Sequence, residues 1–333
     1  MSFNIIITLF QRAILQGIPL LYGSTGEILT EKSGNLNLGI PGIMYVGGIS
    51  GVIGAFLYEE SLVNKADANA FLAIIIPLLC SVIGSALCGL IYSFLTVTLR
   101  ANQNVTGLTL TTFGIGLSLV FGKAMIASAG GAPKTSDLFN AKISAIHIPG
   151  LSDIPYIGKI LFGLNPYVYI GVAIAVVMYF YLRKTKIGLN LRAIGENPAA
   201  ADASGINVNL MKYINIIIGG GICGIGGAYM SLILVNGSWQ DSGVVNGYGW
   251  IAVALVIFSS WNPAKAIAGS LVFGMFSSLR YYVPSSIIVI PTAFYQMLPF
   301  LLTTIVLIVT SIRKSRENAQ PASCGINYYR EER

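Results

Sequence analysis

Between Ala70 and Thr98 the chain runs without a single charged residue. No other feature limits its folding so strongly. A helix needs about 20 apolar residues to cross the hydrocarbon core of a bilayer, and runs of this kind recur along the sequence. They fall at Val105–Phe121, Pro166–Leu182, Tyr213–Val235, Ala264–Leu279 and Thr292–Ile312, with a shorter one at Gly249–Ser260. Ile5–Leu29 and Gly39–Leu57 read as further spans broken by polar residues. Lipid offers no hydrogen-bond partner to the backbone, so segments like these must satisfy themselves as helices. The expectation is an all-α polytopic membrane bundle of eight to ten transmembrane helices with broken or re-entrant segments. Composition agrees, with 54% of the residues hydrophobic and 10% charged, where soluble domains carry roughly 25% charged residues. Residues 1–312 form the expected transmembrane domain, and 313–333 a polar cytoplasmic tail expected to be flexible. The first apolar run lacks a basic start and a small-residue cleavage site, so it is expected to stay in the membrane.

Lysine and arginine set the orientation. With the C-terminus inside, twelve of them fall inside, including Arg100, Lys265, the cluster between Arg183 and Lys212, and the tail. Six fall outside: Lys65, Lys123, Lys134, Lys142, Lys159 and Arg280. Arg12 and Lys32 are not assigned. The net charge of +7 then belongs to cytoplasmic loops near lipid headgroups and not to nucleic-acid binding. Small residues recur at four-residue spacing in Gly47, Gly51 and Ala55, in Gly114, Ser118 and Gly122, and in Gly220 and Gly224. Such rows let membrane helices approach closely and argue for a compact bundle.

Several chemistries are missing. The four cysteines form no CxxC pair, and His147 is the only histidine, so no metal site is expected. No phosphate loop of the G-x-x-x-x-G-K-[ST] type occurs. The nearest sequence, Gly122-Lys123, continues with Ala124. No catalytic constellation is present. If transport here is driven by nucleotide hydrolysis, the ATPase is another polypeptide.

Polar residues beside or inside the spans are the positive signal. Gly23–Gly42 combines glycines with Asn35, Asn37 and Pro41, a composition that disfavours regular helix. A pathway-lining break and an ordinary interfacial loop explain it equally well on residue chemistry alone. Ala101–Thr112 places Asn102, Gln103 and Asn104 at a helix start, followed by Thr106, Thr109, Thr111 and Thr112. Threonines bonded to the preceding turn account for that pattern as readily as a pathway does. Asn236–Gly249 holds Trp239, Gln240, Asp241, Asn246 and Tyr248, suited either to a planar or sugar-like solute or to an aromatic belt. Arg12 and Glu27 lie 15 residues apart, about 22 Å along a helix. They cannot pair with each other in a straight helix, and each needs another partner. The basic loop Arg183–Lys212 contains a very short helix with marked ends. Asn197 can cap it, Pro198 suits its first turn, Ala199, Ala200 and Ala201 propagate it, and Gly205 can end it. A helix that short is unstable alone in water and needs a surface to dock on.

Four blocks then match a family: Gly26–Met44, Ala101–Ser118, Gly188–Val208 and Gly247–Ala266. The chain resembles the membrane permease subunits of ABC importers, in the group that includes branched-chain amino acid, ribose and nucleoside permeases. It looks most like the nucleoside and simple-sugar branch. The resemblance implies a second permease, typically a different chain, or else a copy of this one. It also implies two cytoplasmic ATPase subunits that bind ATP, and an extracellular solute-binding lipoprotein or protein. This chain itself would bind no cofactor and would sit multi-pass in the cell membrane. The short helix, with Asn197, Pro198, Ala201, Asp202 and Gly205, would be the coupling element that docks on the ATPase. Asn35, Asn37, Asn102, Asn104, Thr106 and Trp250 are the expected pathway residues, and a nucleoside the expected solute, with simple sugars or branched-chain amino acids as alternatives. A secondary carrier is a remote alternative, disfavoured by sparse buried ionisable residues. The sequence departs from the family pattern at Pro41, where glutamate is common, at Gln103, where an acid is common, at Thr111, where asparagine is common, and at Tyr248, where a basic residue is frequent.

Overall fold

A computed structural model describes residues 3–129, 134–144, 152, 154, 158–239, 245, 247–279, 281–282, 291–313 and 319–330. Six helices in it are long and apolar enough to cross a membrane. They are α1 (Phe3–Lys32), α2 (Ile40–Glu60), α3 (Ala70–Ser93, continued by a π-turn over Phe94–Thr98), α4 (Gln103–Ala129), α6 (Pro166–Lys184) and α9 (Val208–Tyr229, with a π-turn over Met230–Leu234). Between α4 and α6 lies the short α5 (Asp137–Ile143), and between α6 and α9 lie α7 (Lys186–Glu196) and α8 (Pro198–Ala203). Three shorter apolar helices follow, α10 (Tyr248–Phe258), α11 (Pro263–Leu279) and α12 (Thr292–Arg313). Each apolar run read from the sequence corresponds to one of these helices. Asparagine and hydroxyl side chains cap several of them, among them Asn69, Asn165 and Asn207.

The most deeply buried long helix is α9, which packs against α1, α2 and α3. Its glycines make that possible. A Cβ on Gly47 of α2 would stand 2.3 Å from the Cα of Gly224, and one on Gly26 of α1 would stand 2.2 Å from the carbonyl oxygen of Gly219. Both distances are impossible for a real side chain, so backbones touch directly at these crossings. The small-residue rows in the sequence thus mark true helix contacts. Gly114 meets Gly42 in the same way.

Two expectations need correcting. Gly23–Gly42 is mostly helical. α1 continues to Lys32 and α2 begins at Ile40, so the break is confined to residues 33–39. Gly23 and Gly26 serve helix contact and not chain reversal. The tail is also not free. Residues 319–330 lie across one end of the bundle, with Pro321 and Ser323 buried. The Ser323 hydroxyl donates to the carbonyls of Gly195 at 2.6 Å and Ile194 at 3.1 Å. Asn327 donates to the Arg100 carbonyl, and the Arg100 guanidinium lies over the Tyr329 ring at 4.7 Å. Local composition signalled solvent, but long-range backbone acceptors at the helix ends hold the segment down.

Lys32, Arg100, Arg183, Arg192, Lys212 and the strap formed by residues 319–330 therefore share one end of the bundle. At the other end the buried Glu59 carboxylate accepts the Ser136 N–H at 3.0 Å, and Lys134 pairs with Asp137. Arg12 does not approach Glu27. Its guanidinium lies 5.2 Å and 5.8 Å from the ring centres of Tyr281 and Tyr282.

The backbone contact at Gly47 leads to a direct test. Gly47→Ala should lower stability by about 1–3 kcal/mol through overpacking. Gly116→Ala, where nothing lies within 4 Å of the added methyl, should leave it unchanged or slightly raised. Thermal unfolding in detergent of the two variants beside the native chain decides this. Equal midpoints for the two would refute the contact.

Candidate functional site

Residues 33–39 form a stretch of irregular backbone between two long helices. Gly34 adopts φ +84, and the segment turns back from the end of α1 to start α2 beside α4 and α10. A Cβ on Gly39 would stand 2.9 Å from Leu110, and one on Gly249 would stand 2.5 Å from Pro41. Ser33 and Gly34 close the last turn of α1 on the carbonyls of Thr30 and Glu31, and side chains bond much of the backbone that follows. Glu27 on α1 accepts the Asn37 N–H at 3.1 Å. Gln103 on α4 accepts the Leu36 N–H at 2.7 Å. Tyr92 on α3 and Thr111 on α4 donate to the carbonyls of Leu36 at 2.5 Å and Leu38 at 2.9 Å. Asn37 in turn accepts the Gly39 N–H with its own side chain. Protein thus replaces water around an irregular segment, the condition under which such backbone persists inside a membrane.

This seam gathers charge and unfilled hydrogen-bonding capacity. Glu27 and Glu31 sit one turn apart on α1, 1% and 3% exposed. The indole N–H of Trp261 donates to Glu31. Two buried oxygens of the seam, Glu27 Oε2 and Asn35 Oδ1, have no partner. Leaving a buried polar atom unpaired costs about 1–3 kcal/mol, so two of them in one seam leave it less tightly bonded than the surrounding helices.

The expected pathway residues separate into two groups. Asn35, Asn37 and Thr106 are buried, and Asn35 donates to Thr96 at 3.4 Å. Asn102 and Asn104 are exposed at the start of α4, and Asn102 caps it through the Val105 N–H at 3.1 Å. Thr106 bonds back to the Asn102 carbonyl. Trp250 lies partly exposed on α10, next to Gly249 and so near the start of α2. Sequence reasoning did not single out Glu31 or Trp261. Their chemistry appears only when α1 and the residues preceding α11 come together. Three of the four positions that depart from the family pattern meet here too. Gln103 and Thr111 hold the linker, Pro41 packs on Gly249, and the Tyr248 hydroxyl donates to Gln16.

The second feature is α8. Asn197 accepts the Ala200 N–H at 3.0 Å, Pro198 occupies the first turn, and Gly205 has φ +84 after the last. The expected local structure is therefore present. Its docking surface is partly within this chain. Ala201 is 4% exposed and packs with Ile194 and Val208. Asp202 accepts from the Tyr328 hydroxyl at 2.8 Å and pairs with Arg330 at 3.3 Å. Asn197, Ala200, Ala203, Ser204 and Gly205 remain exposed. A substitution at Ala201 would therefore disturb internal docking, whereas Ala200 and Ala203 face outward. The strap joins the two features. Asn327, next to Tyr328, accepts from Gln103 at 3.1 Å, and Gln103 holds Leu36.

The family model described as "Branched-chain amino acid transport system / permease component" matches residues 9–307 of this chain. The nucleoside ABC transporter permease protein NupC of Lactococcus lactis subsp. cremoris is 34% identical over 323 residues, covering 95% of this chain and 94% of its own. The guanosine ABC transporter permease protein NupQ of Bacillus subtilis is 32% identical over 300 residues, 88% of this chain and 89% of that protein. A putative glucose ABC transporter permease protein, TsgC13 of Haloferax volcanii, is 32% identical over 262 residues, 78% of this chain and 73% of that one.

Gln103 is the link between strap and linker, so its removal has two expected effects. Gln103→Leu strands the Leu36 N–H and leaves the Asn327 side-chain oxygen without its donor, lowering stability by about 1–3 kcal/mol. It should also speed protease cleavage within residues 319–330. Native cleavage rates in the variant would show that the strap is held by other means.

Proposed function

The chain belongs to the branched-chain amino acid transport system/permease component family, and from that premise we propose that its cargo is a nucleoside. It is a multi-pass membrane permease of an ABC importer. The observation that carries the reading of its mechanism is α8. This helix is too short to stand alone, is fixed on one side by Ala201 and Asp202, and presents Ala200, Ala203 and Ser204 outward. A rigid, capped element of this kind can be pushed as a body by a partner that closes on it. The partner we assign is a pair of ATPase subunits, which would bind and hydrolyse ATP on the cytoplasmic side. On that assignment the strap and the C-terminus would lie inside the cell, in accord with the lysines and arginines collected at that end. The assembly would be completed by a second permease, either a different chain or a copy of this one, and by an extracellular solute-binding lipoprotein or protein. No cofactor is assigned to this chain.

The nucleoside assignment is supported by likeness to permeases named for guanosine and nucleosides over most of the chain. The seam gives it a chemical footing. Asn35 and Glu27 each hold an unpaired buried oxygen that could accept from the hydroxyls or amino groups of a nucleoside when the bundle opens. Asn37, Thr106 and Trp250 would line the same route, and Asn102 and Asn104 its exposed mouth. A simple sugar is the second reading, favoured by the likeness to a putative glucose permease. Sugar hydroxyls would use the same acceptors.

Two experiments check these assignments. In vesicles holding the complete transporter, ATP-driven uptake of labelled nucleoside should be suppressed by excess unlabelled nucleoside and not by glucose or leucine. Suppression by glucose alone would transfer the assignment to sugars. Ala203→Arg places a charge on the outward face of α8 and should abolish uptake while the protein inserts at native levels. Undiminished uptake in that variant would exclude α8 as the coupling contact.

A further inference from the structure

The ends of α1, α6 and α7 meet the residues that precede α11 at a small polar cleft. Its volume is about 60 Å³, and Lys32, Arg183, Arg192 and Asn262 line it together with Trp261. Three of its lining side chains are cationic and none is acidic. Arg192 Nε is buried there without a hydrogen-bond partner. Of the nearby carboxylates, Glu31 is engaged by Trp261, and Glu196 lies close enough to Lys32 to offset part of its charge. The cleft therefore keeps a surplus of positive charge and an unfilled donor.

The same three membrane helices wall a second cavity. It is apolar, about 650 Å³, and runs along Ile18 of α1, Val172 and Ala173 of α6, and Ala264 and Ala268 of α11. The alanines are exposed, so the groove opens to the outside of the bundle, where lipid lies. The two spaces adjoin, since consecutive residues of α11, Pro263 and Ala264, line one and the other. From the cations to the depth of the groove is about one leaflet. Val172 and Arg183 lie about 16 Å apart along a helix at 1.5 Å per residue, and half of a hydrocarbon core of about 30 Å is about 15 Å.

We propose that this composite site binds an anionic phospholipid, with its phosphate held by Lys32, Arg183 and Arg192 and an acyl chain laid in the groove between α6 and α11. Charge selects the headgroup, and the groove selects a molecule with a chain attached. A free phosphate would use only the cleft. A neutral phospholipid would use only the groove.

Native mass spectrometry of the detergent-purified full chain, titrated with phosphatidylglycerol or phosphatidylcholine of identical chains, tests this. Phosphatidylglycerol should bind more tightly. Arg183→Gln and Arg192→Gln should each weaken it by about fivefold, and the corresponding Arg→Lys changes should restore most of the binding, which separates lost charge from misfolding. Ala268→Trp, which fills the groove and leaves the cations, should weaken both lipids. Equal affinity of the native chain for the two lipids would overturn the proposal. So would phosphatidylglycerol binding that survives loss of both arginines. Competition by chain-free glycerophosphoglycerol at the same concentration as the lipid would identify a plain anion site instead. A photocrosslink from position 268 that joins two permease chains and yields no lipid adduct would assign the groove to a protein partner.

Discussion

The close approach of α9 to α1, α2 and α3 is the contact on which the remaining architecture rests. Lipid tails are as apolar as the side chains they touch, so helices in a membrane gain little by burying hydrophobic surface against each other. They associate through packing and hydrogen bonds instead. Backbone contact at Gly47–Gly224 and Gly26–Gly219 gives that packing its tightest form. With α1 and α2 both drawn onto α9, the seven residues between them have no room to loop outward. They fold back into the bundle, and their backbone must find partners there.

The seam follows from that confinement. Glu27, Tyr92, Gln103 and Thr111 come from α1, α3 and α4, and each supplies what a regular helix would have supplied locally. The arrangement is not fully satisfied. Unpaired oxygens at Glu27 and Asn35 leave the seam weaker than a fully bonded one, a property suited to a segment that rearranges when a transporter changes state. The strap connects this seam to α8 through Gln103, Asn327, Tyr328 and Asp202. A force applied to α8 thus has a bonded route to the linker, in addition to the route through α7 and α9.

Much of the fold was legible in the sequence because lipid enforces a simple rule. Long apolar runs must be helices, and every run became one. The ends of α8 were legible as well, since Asn197, Pro198 and Gly205 act through their immediate neighbours. Reading failed where the deciding partner lay far along the chain. Gly26 of α1 looked like a helix breaker because its contacts, Gly219 and Cys223, are nearly two hundred residues away. The tail looked mobile because its polar residues were counted without the carbonyls of Ile194, Gly195 and Arg100 that they meet. Ala201 could be named only with its helix as a whole, since helix periodicity alone does not say which face of an isolated turn is already covered.

The sequence by itself determined the class of molecule, its membrane-spanning segments and the existence of a short capped helix in a basic loop. These depend on hydrophobic length and on local capping, which act within one segment. Only the tertiary structure decided that Glu27, Glu31, Asn35 and Trp261 share one seam, that the strap fastens α8, and that Lys32, Arg183 and Arg192 converge above an apolar groove. Those arrangements depend on which helices touch. That choice is made by small residues at a few crossings, and their partners cannot be assigned until the chain is packed.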